Sequence, residues 1–303
     1  MSRGGILRAL IGVAISAITL YVILHGVDLA EVADILRTAA PGWLALMLVG
    51  IVVDLMIRGL RWQRLLAPIH AVPYRRSLGY LLIGYLANNL LPARLGELVR
   101  AHYLGDREGV SRTTTLGTIV VERVIDTVVV VAIAALAIVI LAVLVAARRL
   151  PGAERVVAYA ARWPRVSDMA GKLHGGLAVA GRPRTLVEAI VLSCFAWGAT
   201  IIAFAAAGQS LGVQRTTAQA ALLASGGALA SAIPAGPGNL GTFDLAATVI
   251  AGTFGMGKET AVALAIACHA AVIVVTSIGG AVALLRLGWE RRTPAPISEV
   301  ELR

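Results

Sequence analysis

TIVVERVIDTVVVVAIAALAIVI, residues 118–140, is the stretch on which the fold turns. Its apolar run begins near Leu116 and continues to 146. That exceeds the roughly 20 apolar residues that a bilayer-spanning helix needs. Yet Glu122, Arg123 and Asp126 sit in its first part. Glu122 and Asp126 are four apart and share a helix face, and Arg123 and Asp126 are three apart. Charges inside a span are costly and face a bundle interior or an aqueous path. The alternative is a helix that starts later and leaves the three residues at the interface.

Composition carries the same reading to the whole chain. Of 303 residues, 58% are hydrophobic and 15% charged, with mean hydropathy +0.82. Soluble domains run nearer 45–50% apolar. Aromatics make up 5%, and the apolar residues fall in long runs of Ala, Val, Leu and Ile. A membrane β-barrel needs short alternating segments with aromatic girdles instead. The expected fold is all-α, a polytopic helical membrane protein. The net charge of +10 fits basic loops facing anionic lipid headgroups. No recognition helix, zinc spacing or RNA-binding signature accompanies it, so no nucleic acid partner is expected. Cys194 and Cys268 lie singly in apolar runs and read as small packing residues. Arg3 and Arg8 precede an apolar run as in a signal peptide, but no small-residue cleavage site follows, so an uncleaved first span is expected.

Apolar runs fall at 6–24, 42–58, 77–91, 116–146, 186–208, 217–233, 240–254 and 259–286. The runs 6–24, 116–146, 186–208 and 259–286 are long enough to span outright, and 42–58 is shorter but sufficient. The other three are short and flank breaker-rich stretches. DLAEVADILRTA (28–39) has helical apolar spacing between acids and suits the interface. Arginines crowd 58–76, 147–184 and both termini. By the positive-inside rule these regions face the cytoplasm. One integral membrane domain, 1–303, is expected. It comprises a first half 1–146, a basic, partly helical linker 147–184, a second half 185–290 and a flexible tail 291–303.

The halves echo each other. NNLLPARLGELV (88–99) and SAIPAGPGNLGTFD (231–244) align on Pro92 and Pro234, each after an apolar pair and a small polar residue, Asn89 or Ser231. Each leads to a region of Gly and acid, Gly96–Glu97 or Gly241 through Asp244, and then to a long apolar helix. Paired interruptions in corresponding positions point to a transporter binding site, and each half is expected to hold a broken or re-entrant helical hairpin. An inverted repeat needs halves of opposite orientation. The charge count instead puts the ends of 116–146 and 259–286 on one side.

Broken helices free backbone groups that must be buried in protein or line a polar cavity, and half-helix N-termini attract anions. Gly238 and Gly241 allow close backbone approach, Pro237 withholds a helical hydrogen bond, and Asn239 can donate or accept. The competing reading is a tight surface turn. Glu97 and Arg100, three apart, share a face. They read either as the wall of a polar cavity, beside Arg94, or as interfacial salt bridges. Asp54 with Arg58, in the Trp-bearing RGLRWQRLL (58–66), reads as an interface anchor. His269 reads as a packed, hydrogen-bonded histidine. No nucleotide loop, nucleophile elbow or metal-ligand cluster is present in the sequence, so no cofactor, metal or catalytic residue is assigned.

RGLRWQRLL, NNLLPARLGELVRAHYL (88–104), VVERVIDTVV (120–129) and SAIPAGPGNLGTFD, in that order, resemble the lysylphosphatidylglycerol synthase transmembrane-region family, a flippase-like integral membrane family. The resemblance covers nearly the whole chain. It implies a multi-pass protein of a bacterial or archaeal plasma membrane. In larger relatives the matching portion is associated with moving an aminoacylated lipid between leaflets and accompanies a soluble aminoacyl-transfer domain. This chain stops at Arg303 without room for that domain, so the synthase activity is not carried over. The family pattern matches at Pro92, Gly96, Glu97, Arg100, Glu122, Arg123, Asp126, Pro234, Pro237, Gly238 and Gly241, with Asp244 where many relatives have Glu. With Asn89 and Asn239 these form the expected substrate-binding set. Arg100 and Arg123 are expected to meet phosphate. The implied function is translocation of a phospholipid or lipid-linked substrate. The alternatives are a lipid-modifying transferase and a non-catalytic accessory subunit. The expected partners are membrane lipids and, in the accessory reading, a lipid-modifying enzyme.

Overall fold

The computed structural model describes residues 3–92, 95–149, 183–213, 216–233 and 235–290. The linker expected at 147–184, apart from its two ends, and the tail 291–303 lie outside the described residues, as do Arg94 and Pro234. Among the described residues there are ten α-helices, one short 3-10 turn and no strand. The polytopic all-α reading is correct.

Helix α1 (Arg3–Leu24) turns by 86° into α2 (Leu29–Arg37). The Asp28 carboxylate caps α2 by accepting from the backbone N–H groups of Ala30 and Glu31, which satisfies two of its orphan donors. Helix α3 (Pro41–Leu66) opens on a proline, which a first helical turn tolerates. Then come α4 (Tyr74–Leu90), α5 (Gly96–Glu108), α6 (Arg112–Arg149), α7 (Pro183–Ser210), α8 (Thr217–Ala230), the 3-10 turn Pro237–Asn239, α9 (Thr242–Thr253) and α10 (Lys258–Glu290). Four helices, α3, α6, α7 and α10, are each long and apolar enough to cross a membrane, and the bent α1–α2 pair adds a fifth candidate.

The remaining four are too short to cross. Helices α4, α5, α8 and α9 have 17, 13, 14 and 12 residues. At 1.5 Å per residue the longest reaches about 26 Å, short of a hydrocarbon core of roughly 30 Å. Helices α4 and α5 pack on each other, as do α8 and α9, so each pair is a hairpin with its break inside the bundle.

Contacts fix which end of the bundle each helix meets. Leu65 of α3, Ile69 just after it, Thr114 of α6 and Thr185 of α7 line one pocket. Arg107 of α5 donates to the Leu287 carbonyl of α10 at the same end. At the other end the Ala40 amide donates to Ser210, Lys258 donates to the His25 carbonyl, and Ala137 of α6 clusters with Ala218 and Ala221 of α8. The first hairpin therefore opens toward one end and the second toward the other. Helices α6 and α10 run in opposite directions. This corrects the charge count, which placed their ends together: the last turns of α6 lie away from the arginine-rich end, where α7 begins.

Helices α3 and α7 run antiparallel and share the most extensive packing in the bundle. Gly50 lets them approach, since a Cβ there would sit 3.0 Å from the Ala203 methyl. Small residues at such contacts replace the hydrophobic driving force that lipid removes. Exchanging α3 with α7, α4 with α8, α5 with α9 and α6 with α10 maps packed pairs onto packed pairs: α4–α10 onto α8–α6, α3–α4 onto α7–α8, α5–α6 onto α9–α10. Helices α1 and α2 stand outside this exchange and lie against α9 and α10.

Candidate substrate cavity between the hairpins

The two breaks meet. A Cβ on Gly238, in the second break, would come within 3.9 Å of the Asn89 carbonyl oxygen at the end of α4. The freed backbone groups have named partners. In the first hairpin the Asn88 side-chain oxygen accepts from the Gly96 amide at 2.8 Å. Asn89 donates from its side-chain nitrogen to Thr276 and Ser277 of α10, at 2.8 and 2.9 Å. In the second, the Ser16 hydroxyl of α1 accepts from the Gly236 amide at 2.8 Å and donates to the Leu240 carbonyl at 2.6 Å. Asp244 reaches back to accept from the Gly241 amide at 2.9 Å. The turn itself needs positive φ at Gly238 (66°), Asn239 (56°) and Gly241 (89°), which glycine and asparagine reach at least cost.

Beside the breaks lies a cavity of about 330 Å³. Arg58, Tyr85, Glu97, Arg123 and Asp126 face it from α3, α4, α5 and α6, with Gly238, Asn239 and His269 on the other side. Along that wall runs an ion network, buried except for the partly exposed Glu97–Arg123 pair. Arg58 donates to Asp54 at 2.8 Å and to Asp126 at 3.3 Å. Arg61 donates to Glu122 at 2.9 Å, to Asp126 at 2.5 Å and to Ser193 at 2.6 Å. Arg100 donates to the other Glu122 oxygen at 2.7 Å and stacks over the Trp62 ring at 3.5 Å. Arg123 pairs with Glu97 at 3.1 Å. Four arginines (58, 61, 100 and 123) thus face four carboxylates (54, 97, 122 and 126). Buried charge is tolerated only when paired in this way.

The family model of the lysylphosphatidylglycerol synthase TM region matches residues 9–146 and 127–280. The chain belongs to that family. Both hairpins and the cavity lie inside the matched residues of this synthase TM-region chain. A stretch of 133 residues is 30% identical to Glycosyltransferase AglD of Haloferax volcanii, covering 43% of the chain and 20% of that protein. The chain thus matches about a fifth of the length of this relative.

Within this family member the expected set divides. Glu97, Arg123, Asp126, Gly238 and Asn239 line the cavity. Arg100 and Glu122 do not: they are 2% and 0% exposed and bound to each other. Arg100 is therefore spent on Glu122 and Trp62, and the expectation that it meets phosphate is corrected. Asn89, Gly96, Gly241 and Asp244 shape the breaks, and the first amide of each returning limb is already taken by Asn88 or Asp244. Pro92 and Pro237 sit at the breaks but do not line the cavity. The interface-anchor reading of Asp54 and Arg58 is also corrected. Both are buried, and Thr200 of α7 donates to Asp54 at 3.1 Å. Arg61 escaped the sequence reading although it shares a helix face with Arg58, three residues before it. His269 is packed and hydrogen-bonded on both ring nitrogens.

Proposed function

We propose that the protein translocates a phospholipid or lipid-linked substrate across a plasma membrane, with the headgroup passing through the cavity between the hairpins. The observation that carries this reading is the meeting of two oppositely opening hairpins beside paired charges within one cavity. In this reading the halves 1–146 and 185–290 are inverted repeats that rock about α3 and α7, the arrangement of many secondary transporters. The packing exchange described above supports it. The Glu97–Arg123 pair, about one-third exposed on each side, contacts the headgroup. Arg123 meets phosphate, and Glu97 meets an amine or sugar hydroxyls.

The test is leaflet accessibility. Purified protein in liposomes, with headgroup-labelled phospholipids or prenyl-linked lipids, is challenged with a membrane-impermeant quencher. Expected is faster exchange than in protein-free liposomes, slowed by Glu97→Gln. Full exchange in well-folded Glu97→Gln and Arg123→Ala variants sinks the site assignment.

The relative named as a glycosyltransferase supports a second reading, a membrane module that serves lipid glycosylation. A chemically altered lipid after incubation with sugar donors, or a stable enzyme partner on purification, favours that reading.

A further inference from the structure

His269 of α10 sits between two acceptors. Its Nδ1 lies 2.8 Å from Asp244 Oδ1, and its Nε2 lies 2.8 Å from the Gly238 carbonyl oxygen. A carbonyl oxygen only accepts, so the second bond exists only when Nε2 carries a proton. The first bond then needs a proton as well, on Nδ1 or on Asp244. A neutral imidazole brings one proton, and the other comes from water. An ionised Asp244 beside a neutral His269 makes only one of the two bonds. The other Asp244 oxygen offers no escape, because it accepts from the Gly241 amide.

We propose that the Asp244–His269–Gly238 chain is a proton-binding site whose occupancy holds the break of the second hairpin in place. Binding itself stands on the hydrogen-bond chemistry; only its use, coupling transport to a proton gradient, rests on the translocase reading. When the proton leaves, the Asp244 carboxylate retains the Nδ1 proton. A lone pair on Nε2 then faces the Gly238 oxygen, and the 3-10 turn must shift. That turn lines the cavity, so proton occupancy and cavity shape move together.

The surroundings suit such a site. Phe243 covers the imidazole, with ring centroids 4.5 Å apart. Across the cavity stand Tyr85 of α4, Arg58 of α3 paired with Asp126 of α6, and Glu97 of α5 paired with Arg123 of α6, while α7 contributes Trp197. On its other side α1 offers Leu20, Ile23 and Leu24. The charged groups facing His269 thus form pairs of their own, and the cavity is the route by which a proton reaches Nε2.

The experiment is nitrogen-15 histidine NMR on the purified full chain in nanodiscs, with His269 assigned by its loss in His269→Gln. Expected in acid is a proton on Nε2, with the second on Nδ1 or on Asp244, and the loss of the Nε2 proton as pH rises. Amide exchange across 236–241, corrected for its intrinsic pH dependence, increases in step. Asp244→Asn supplies the missing hydrogen: its amide nitrogen donates to Nδ1 while its oxygen keeps the Gly241 bond. That variant should hold His269 neutral and the turn protected at every pH, and lose any response of lipid exchange to an imposed pH gradient. A wild-type Nε2 whose protonation does not change with pH overturns the proposal, as does an Asp244→Asn turn that loosens with pH as wild type does. The wild-type spectrum decides the protonation alone, so a variant that fails to fold does not shelter the idea. If the NMR result holds but no lipid exchanges, the translocase reading fails and the proton site stands. If lipid exchanges with no dependence on pH gradient or Asp244, the coupling role fails and the translocase reading stands.

Discussion

Arg61 of α3 donates to Asp126 of α6 across 2.5 Å, with the Arg61 side chain fully enclosed. The same guanidinium reaches Glu122, one turn earlier on α6. Removing it by Arg61→Met leaves buried carboxylates undercompensated, which costs about 3–5 kcal/mol. The double variant Arg61→Met, Asp126→Leu should recover part of that loss. Arg58 keeps Asp54, and Glu122 keeps Arg100. Thermal unfolding of the detergent-solubilised protein checks both; equal midpoints for wild type and Arg61→Met would remove the network from the stability account.

Ser16 joins both sides of the second break, so Ser16→Ala orphans the Gly236 amide and the Leu240 carbonyl at once. The expected cost is about 1–3 kcal/mol. It should appear locally: amide exchange at Gly236 accelerates while the protected centres of α3 and α7 keep their rates. Uniform acceleration would mean that α1 supports the whole bundle rather than the break.

Glycine substitutions separate a crossing from a cap. A Cβ on Gly96 would lie 1.9 Å from the Gly84 carbonyl oxygen, so Gly96→Ala must part α4 from α5. Gly109 ends α5 at φ 67° with nothing within 4 Å of a new Cβ. Gly109→Ala meets only the left-handed strain of about 1–2 kcal/mol. Expression and monodispersity should collapse for the first and persist for the second.

The spans and the breaks were legible because both signals are local. Long apolar runs set the spans, and Pro and Gly at 92, 96, 237, 238 and 241 set the breaks. The arrangement of charge was not, for two physical reasons. Arginines at positions 58 and 61 look like a cytoplasmic cluster until α6 brings Glu122 and Asp126 against them, and that pairing spans more than sixty positions of sequence. Orientation failed for a different reason. A count of Lys and Arg put the whole basic linker 147–184 on one side, yet α6 runs out at one end of the bundle and α7 begins at the other. His269 illustrates the limit from the other direction: its bonds to Asp244 and Gly238 are 25 and 31 positions away, and only the fold of the break brings them together.

Glu97 and Arg123 differ from the network behind them in exposure, and this gives the sharpest functional prediction. Their side chains are 31% and 37% exposed, whereas Glu122 is enclosed. A partly exposed pair contributes at most about 1 kcal/mol. Glu97→Gln and Arg123→Ala should therefore leave the unfolding midpoint nearly unchanged while slowing lipid exchange. Glu122→Gln, which leaves Arg61 and Arg100 with a neutral partner, should lower the midpoint, and its exchange should fall only with the folded fraction. Midpoint and exchange measured on the same preparations separate a headgroup contact from a structural ion pair. Should Glu97→Gln lose stability and exchange in the same proportion as Glu122→Gln, the Glu97–Arg123 pair belongs to the scaffold and the headgroup contact must be sought elsewhere along the cavity, at Tyr85 or Asn239.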